Sequence, residues 1–325
     1  MSRSVFITGV AGFIGSAVAR RLLEHGDRVA GVDNLDPFYD PAFKRDNLRW
    51  LEQAGGVDFH EGDIRDEAGM RRWVGEAGAA HVIHMAALAG VRPSIADPVR
   101  YADVNVRGTE IVFQAAREAG VHRVVLASSS SVYGNNEKVP FSEDDPVDLP
   151  ISPYAATKRA NEIQAACFHH LTGIHVPCLR FFTVYGPRQR PEMAIRLFSG
   201  QIWRGEPVRI FGDGSMRRDF TYIDDIVDGV LAALDKAEGC RIYNLGEATT
   251  IDLLELVDAL ETALGKQAVR AHAEVPAGDV RITFADISRA QAELGYAPSI
   301  PPSEGLRRFA DWFLREAPEG PRQGG

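Results

Sequence analysis

Ser4-Val-Phe-Ile-Thr-Gly9-Val-Ala-Gly12-Phe-Ile-Gly15 decides the fold. A short apolar run ends in glycines spaced G-x-x-G-x-x-G, and the next apolar residues, Val18, Leu22 and Leu23, recur at helical spacing. The pattern predicts a buried strand at Ser4–Thr8, a tight loop, and a helix over 13–25. Missing side chains permit the turn, let a pyrophosphate approach the backbone, and let the helix pack closely on the strand. The helix N-terminus then presents unpaired N–H groups to the anion. A glycine triplet alone also fits an ordinary turn, so its surroundings must decide.

Short apolar runs continue at Arg28–Asp33, 57–60, 82–85, 124–127 and 175–179, mostly separated by helical patterns. This alternation predicts an α/β fold with a doubly wound parallel sheet of the Rossmann type. Asp33 ends the second strand, where a carboxylate can accept hydrogen bonds from both adenosine ribose hydroxyls. It would repel a 2′-phosphate, and no arginine follows immediately, so NAD is expected and not NADP. Asp63 follows the third strand and can either reach the adenine edge or cap a helix. After about residue 180 the segments shorten, with helical patterns at 251–264 and 302–313. The expected division is an NAD-binding domain over 1–180, a smaller C-terminal α/β substrate-binding region over 181–315, with the chain free to cross back, and a flexible tail over 316–325. Helices at 99–119 and 153–171 are long enough to offer an outer face to a homodimer partner.

The 325 residues are 45% hydrophobic and 25% charged, as expected of a globular protein. The net charge of −9 gives no basis for a nucleic-acid or anionic-membrane surface. Local arginines must hold any anionic substrate. Cys167, Cys178 and Cys240 show no metal-ligand spacing and are expected to be buried thiols in a reducing compartment. No apolar run reaches membrane-spanning length, and the chain enters a strand almost at once, so a cytoplasmic protein without a signal peptide is expected.

The chemistry is carried by Ser152-Pro-Tyr154-Ala-Ala-Thr-Lys158. Ser152 suits a helix N-cap and Pro153 the first turn, so Tyr154 and Lys158 share one face at i and i+4. An ammonium there is expected to lower the phenol's pKa, making Tyr154 a general base or acid for a hydroxyl group. The same pair on a solvated helix face needs no function. The glycine loop and the serine run 128–131 at the end of an apolar strand favour the catalytic reading.

With these residues the chain resembles the extended short-chain dehydrogenase/reductase superfamily from residue 4 to about 312. Within it the chain is similar to the nucleotide-sugar 4-epimerases, and most to the UDP-glucuronate 4-epimerases. The likeness rests on Arg180-Phe-Phe-Thr-Val-Tyr-Gly-Pro-Arg-Gln-Arg-Pro-Glu-Met-Ala194 and Arg217-Arg-Asp-Phe-Thr-Tyr-Ile-Asp-Asp225. The wider family more often has Asn at Thr183, and its usual Asp is Glu192 here.

The resemblance implies a redox-neutral 4-epimerisation of a UDP-sugar, most closely UDP-glucuronate to UDP-galacturonate. A hexose 4-epimerase is the nearest alternative. A non-catalytic NAD(H)-sensing regulator is a remote one, since such proteins usually lose the Tyr–Lys pair. Tyr154 would take the 4-hydroxyl proton, Ser129 would relay it, and Lys158 would hold the nicotinamide ribose. Phe13, Ile14, Asn34, Ile64, Ala86 and Asn105 join Gly9, Gly12, Gly15, Asp33 and Asp63 as implied cofactor contacts. Ser130 and Ser131 stand where related dehydratases and decarboxylases carry carboxylic acids, which argues against those reactions. Ser129, Ser130, Thr183 and Arg190 fall at positions near the sugar C6 group, and Arg92 is a further candidate. Arg190 and Arg92 could equally be surface charges. Arg218 would meet the diphosphate and Asp279 the uridine ribose. Pro276 stands where an arginine is common, so Arg218 or Arg281 must serve there.

Overall fold

Alternation along strand β1 (Ser4–Thr8) sends Val5 and Ile7 to one hydrophobic cluster and Phe6 to another, all fully buried. A strand covered on both faces needs helices on both sides, which parallel crossovers supply. The computed structural model describes residues 2–274 and 281–317. β2 (Arg28–Asp33), β3 (Asp58–Glu61), β4 (His81–His84), β5 (Arg123–Ser129) and β6 (Cys178–Phe181) follow. With Ile242–Leu245 they form one seven-stranded parallel sheet, ordered 242–245, β6, β5, β4, β1, β2, β3. The winding direction reverses between β1 and β4, which opens a crevice at their carboxyl ends. The expected doubly wound sheet is therefore present, and the chain returns to it after residue 240.

The elements around the crevice are smaller. Thr183–Tyr185 pairs with Phe220–Tyr222, Pro207–Phe211 with Val269–Ala273, and Arg217–Arg218 with Ile251–Asp252. Helix α1 (Phe13–Glu24) follows the glycine loop, and helix α2 (Pro41–Glu52) follows β2. Asp40 caps α2 by accepting from Ala42 N, with Pro41 in the first turn. The 302–316 helix buries Leu306, Phe309 and Phe313 in the same cluster as Val5 and Ile7.

Several details differ from expectation. The strand expected at 175–179 lies at Cys178–Phe181, because Pro177 lacks the N–H that continuous pairing needs. The helix expected over 99–119 is interrupted by a π-helical stretch, Ala102–Arg107. There the Asn105 carbonyl accepts from Asn161 Nδ2 at 2.7 Å and Thr109 Oγ1 at 2.6 Å, so side chains enter the ladder. The helix expected from 251 starts at Leu253, behind a capping box of Asp252 and Glu255. Cys178 is buried, but Cys167 is exposed and Cys240 partly so. Glu316 still belongs to the last helix and Ala317 is buried, while the rest of the expected tail lies outside the described residues. Among the described residues, no helix is long and apolar enough to cross a membrane, and no His, Cys, Asp or Glu group could hold a metal.

Candidate active site

The carboxyl ends of β1, β2, β4 and β5 open onto one cavity of about 490 Å³. Its floor is the glycine loop. A Cβ on Gly15 would lie 2.1 Å from Gly9 O, and one on Gly9, at φ +71°, would lie 2.8 Å from Ala86 N. Neither backbone atom can retreat, so larger residues would break the cradle. Gly12, Phe13, Ile14, Ile64 and Ala86 line the same cavity. The cradle, the start of α1 and Asp33 beside them fit a dinucleotide.

Asp33 is buried, and its Oδ1 accepts from Leu35 N and from Lys44 Nζ, each at 2.9 Å. Lys44 is a site residue that the sequence did not reveal. It sits eleven positions after Asp33, and only the fold of α2 brings it back. Asp63 accepts from Arg65 through Nε at 2.9 Å and Nη2 at 2.7 Å, and from Asn34 Nδ2 at 3.0 Å. These bonds, Arg65 first, hold its carboxyl down at about 2. The following helix is capped instead by Asp66, so the capping alternative for Asp63 is excluded. Asn105 does not line the cavity. Its side chain accepts from Leu88 N and donates to Leu88 O and Thr157 Oγ1, which ties the loop after β4 to the helix Pro153–Thr172.

Ser152 caps that helix through Ala155 N and Pro153 opens it, placing Tyr154 and Lys158 on the cavity wall. The expected lowering of the Tyr154 pKa is not found. Burial raises it, and a hydrogen bond with Ser129 and the charge of Arg190 only partly oppose that. Lys158 Nζ lies 6.0 Å from the phenol ring centroid and donates to Ala127 O at 2.8 Å. Burial brings Lys158 itself down to about 8, against the pull of Glu162.

The serine run divides by role. Ser128 borders the cavity and donates to Glu162 Oε1 at 2.6 Å. Glu162 also accepts from Arg180 Nε at 2.8 Å and Nη2 at 2.9 Å, with both side chains essentially inaccessible. Ser129 Oγ accepts from Ser131 N at 3.2 Å and starts a short 3₁₀ turn. Ser130 and Ser131 also line the cavity, and Ser131 Oγ is buried without a hydrogen-bond partner among the described residues.

Thr183, Arg92, Arg190 and Arg218 meet at the same cavity. Arg190 lies 5.8 Å from the Phe38 ring and 3.3 Å from Glu192 Oε1. Arg92 is exposed and stacks over Phe211 at 5.6 Å. Arg218 Nη1 donates to Arg217 O at 2.9 Å. The cavity thus gathers cations within a chain of net charge −9. Asp279 and Pro276 lie outside the described residues.

Comparison with known proteins agrees with this geometry. The UDP-glucuronate 4-epimerase of Thermodesulfobacterium geofontis is 42% identical over 307 residues, covering 94% of each chain. The solved UDP-glucuronic acid 4-epimerase of Bacillus cereus, with UDP-glucuronic acid and NAD, superposes with a TM-score of 0.88 at 34% identity, covering 95% of this chain and 98% of that one. A Thermotoga maritima UDP-glucose 4-epimerase with UDP-glucose superposes equally well, TM-score 0.88 at 33% identity, with the same coverage. Residues 5–246 match the profile of the NAD dependent epimerase/dehydratase family, and the chain belongs to that family.

Proposed function

We propose that this chain is an NAD-dependent epimerase that interconverts UDP-glucuronate and UDP-galacturonate. The observation that carries this reading is the shared cavity. Tyr154 and Ser129 open onto it together with Thr183 and Arg190, and Ser130 and Ser131 stand where elimination would need carboxylic acids. Bound on the glycine cradle, NAD supplies hydride acceptance at C4 and hydride return. Tyr154 takes the 4-hydroxyl proton, with Ser129 hydrogen-bonded to the same oxygen. Lys158, whose ammonium is weakened by burial and supported by Glu162, favours the transient phenolate electrostatically when charged. Arg218 meets the diphosphate, where a guanidinium can fork two oxygens.

The 4-keto intermediate of a glucuronate is a β-keto acid and decarboxylates when its carboxylate stands perpendicular to the ketone plane. Ser130, Ser131, Thr183 and Arg190 hold the carboxylate out of that geometry. Thr183→Val keeps the shape and removes the hydroxyl. Losing a donor to a charged partner costs about 1–3 kcal/mol, or roughly ten- to a hundredfold. Turnover of UDP-glucuronate is expected to fall by that factor, with less effect on any UDP-glucose activity and some release of a UDP-4-keto-pentose. Equal loss on both substrates would make Thr183 a packing residue. Wild-type preference for UDP-glucose would favour the hexose 4-epimerase reading, which the Thermotoga maritima likeness keeps in view.

A homodimer belongs to the same proposal. Val99 (78%), Ile163 (57%) and Leu171 (74%) are exposed on or beside the two helices expected to pair. Sedimentation should give twice the 35.6 kDa chain mass, and a monomer at micromolar concentration would refute it. A cytoplasmic setting completes this reading, since thiols such as Cys167, Cys178 and Cys240 stay free there.

A further inference from the structure

Helix α2 lines the cavity through Lys44 and contacts the chain just before Arg190 through Asp46 and Asn47. Near its start, Lys44 holds Asp33. Three residues on, Asn47 is buried and its Nδ2 donates to Ala11 O of the glycine loop at 2.9 Å. The Oδ1 of the same side chain accepts from Arg188 Nη1 at 3.3 Å. Arg188 Nη1 also donates to Asp46 Oδ2 at 2.6 Å, and its guanidinium lies 4.8 Å from the Trp50 ring centroid. Asp46, Asn47 and Trp50 of one helix therefore grip one arginine two residues before Arg190.

That arginine is held in an unusual conformation. Arg188 has φ +66°, a left-handed backbone that few residues other than glycine adopt. Such strain persists where the surroundings over-determine it. The next residue, Gln189, is fully buried; its Nε2 donates to Val184 O at 3.0 Å, and Arg196 Nη1 donates to its carbonyl. Fixed at 188 and 189, the chain delivers Arg190 into the cavity.

We propose that Arg188 is a positioning residue for the substrate, and that α2 with Arg188 forms a strut from the cofactor loop to Arg190. The strut fixes the guanidinium that meets the sugar carboxylate, without touching the sugar itself. This inference rests on the proposed UDP-glucuronate substrate. Its chemical content is coupling: Arg188 matters only through Arg190, so the two must act as a unit.

The test is binding, measured by calorimetry in a Tyr154→Phe background so that no turnover intervenes. Arg188→Asn removes the guanidinium while tolerating the left-handed backbone. It is expected to weaken UDP-glucuronate about tenfold, the scale of a displaced binding group, and to leave UDP within about twofold. Arg190→Gln should behave alike, and the double variant should be no weaker than Arg190→Gln within about twofold. Equal weakening of UDP and UDP-glucuronate, or additive effects of the two changes, would overturn the proposal. Should Arg188→Asn fail to fold, Asp46→Asn alters a half-exposed partner. It is expected to weaken UDP-glucuronate about threefold and spare UDP, and no change would likewise overturn the strut. If the unaltered site binds UDP-glucose better than UDP-glucuronate, the substrate reading fails by itself. The same cycle, run with UDP-glucose, then judges the strut separately.

Discussion

Tyr154→Phe is expected to lower kcat by at least about 10²-fold, the usual scale for losing a positioned acid–base group. That corresponds to about 3 kcal/mol in the barrier. The ring contacts survive the change, including the edge-on approach of Tyr101 at 6.3 Å between centroids. Bound NAD should therefore be retained, and the loss should fall on kcat more than on KM. Single-turnover measurement on UDP-glucuronate separates the two. The raised pKa of Tyr154 sharpens this expectation, because an isolated buried phenol is a poor base. Among the neighbouring groups, the hydrogen bond with Ser129 and the charge of Arg190 oppose that rise and favour proton removal. Near-normal turnover in Tyr154→Phe would remove this residue from the chemistry.

Glu162→Gln is expected to destabilise the protein by about 3–5 kcal/mol, the cost of leaving a buried charge without its counter-ion. Arg180 would lose its counter-charge, and glutamine would leave one oxygen in place of the two that now accept from Arg180 and Ser128. The guanidinium cannot reach water, being 1% exposed and stacked 4.8 Å from the Tyr133 ring centroid. Urea unfolding should show the midpoint shift without a large change in slope. Because Ser128 adjoins Ser129, kcat should fall as well, by less than in Tyr154→Phe. A midpoint like that of the wild type would mean the pair contributes little. Paired replacement, Glu162→Leu with Arg180→Met, should recover much of the loss, since neither charge then remains buried.

Much of this was legible along the chain because the relevant physics is local. The β1 strand, the glycine loop and α1 are one continuous signal, and Asp33 follows at the end of the next strand. Ser152 and Pro153 announced the helix that carries Tyr154 and Lys158, and both act as read. What stayed hidden depends on partners distant in sequence. Lys44 finds Asp33 only after α2 folds back, and Arg188 finds Asp46 across 142 positions. Helical spacing showed that Tyr154 and Lys158 are neighbours. It could not show that Lys158 spends a proton on Ala127 O, or that burial outweighs charge at the phenol. Asn105 illustrates the same limit: the resemblance implies a cofactor contact for it, and spacing along the chain could not show that its side chain bonds the Leu88 backbone.

The central claim is that hydride leaves C4 of UDP-glucuronate and returns to the same carbon, with the carboxylate kept. UDP-glucuronate carrying deuterium at C4 tests it most directly, incubated with purified protein as isolated and without added nucleotide. The expected product is UDP-galacturonate with the deuterium retained at C4 and no carbon dioxide released. Product with hydrogen from water at C4, or a UDP-pentose as the main product, would contradict it.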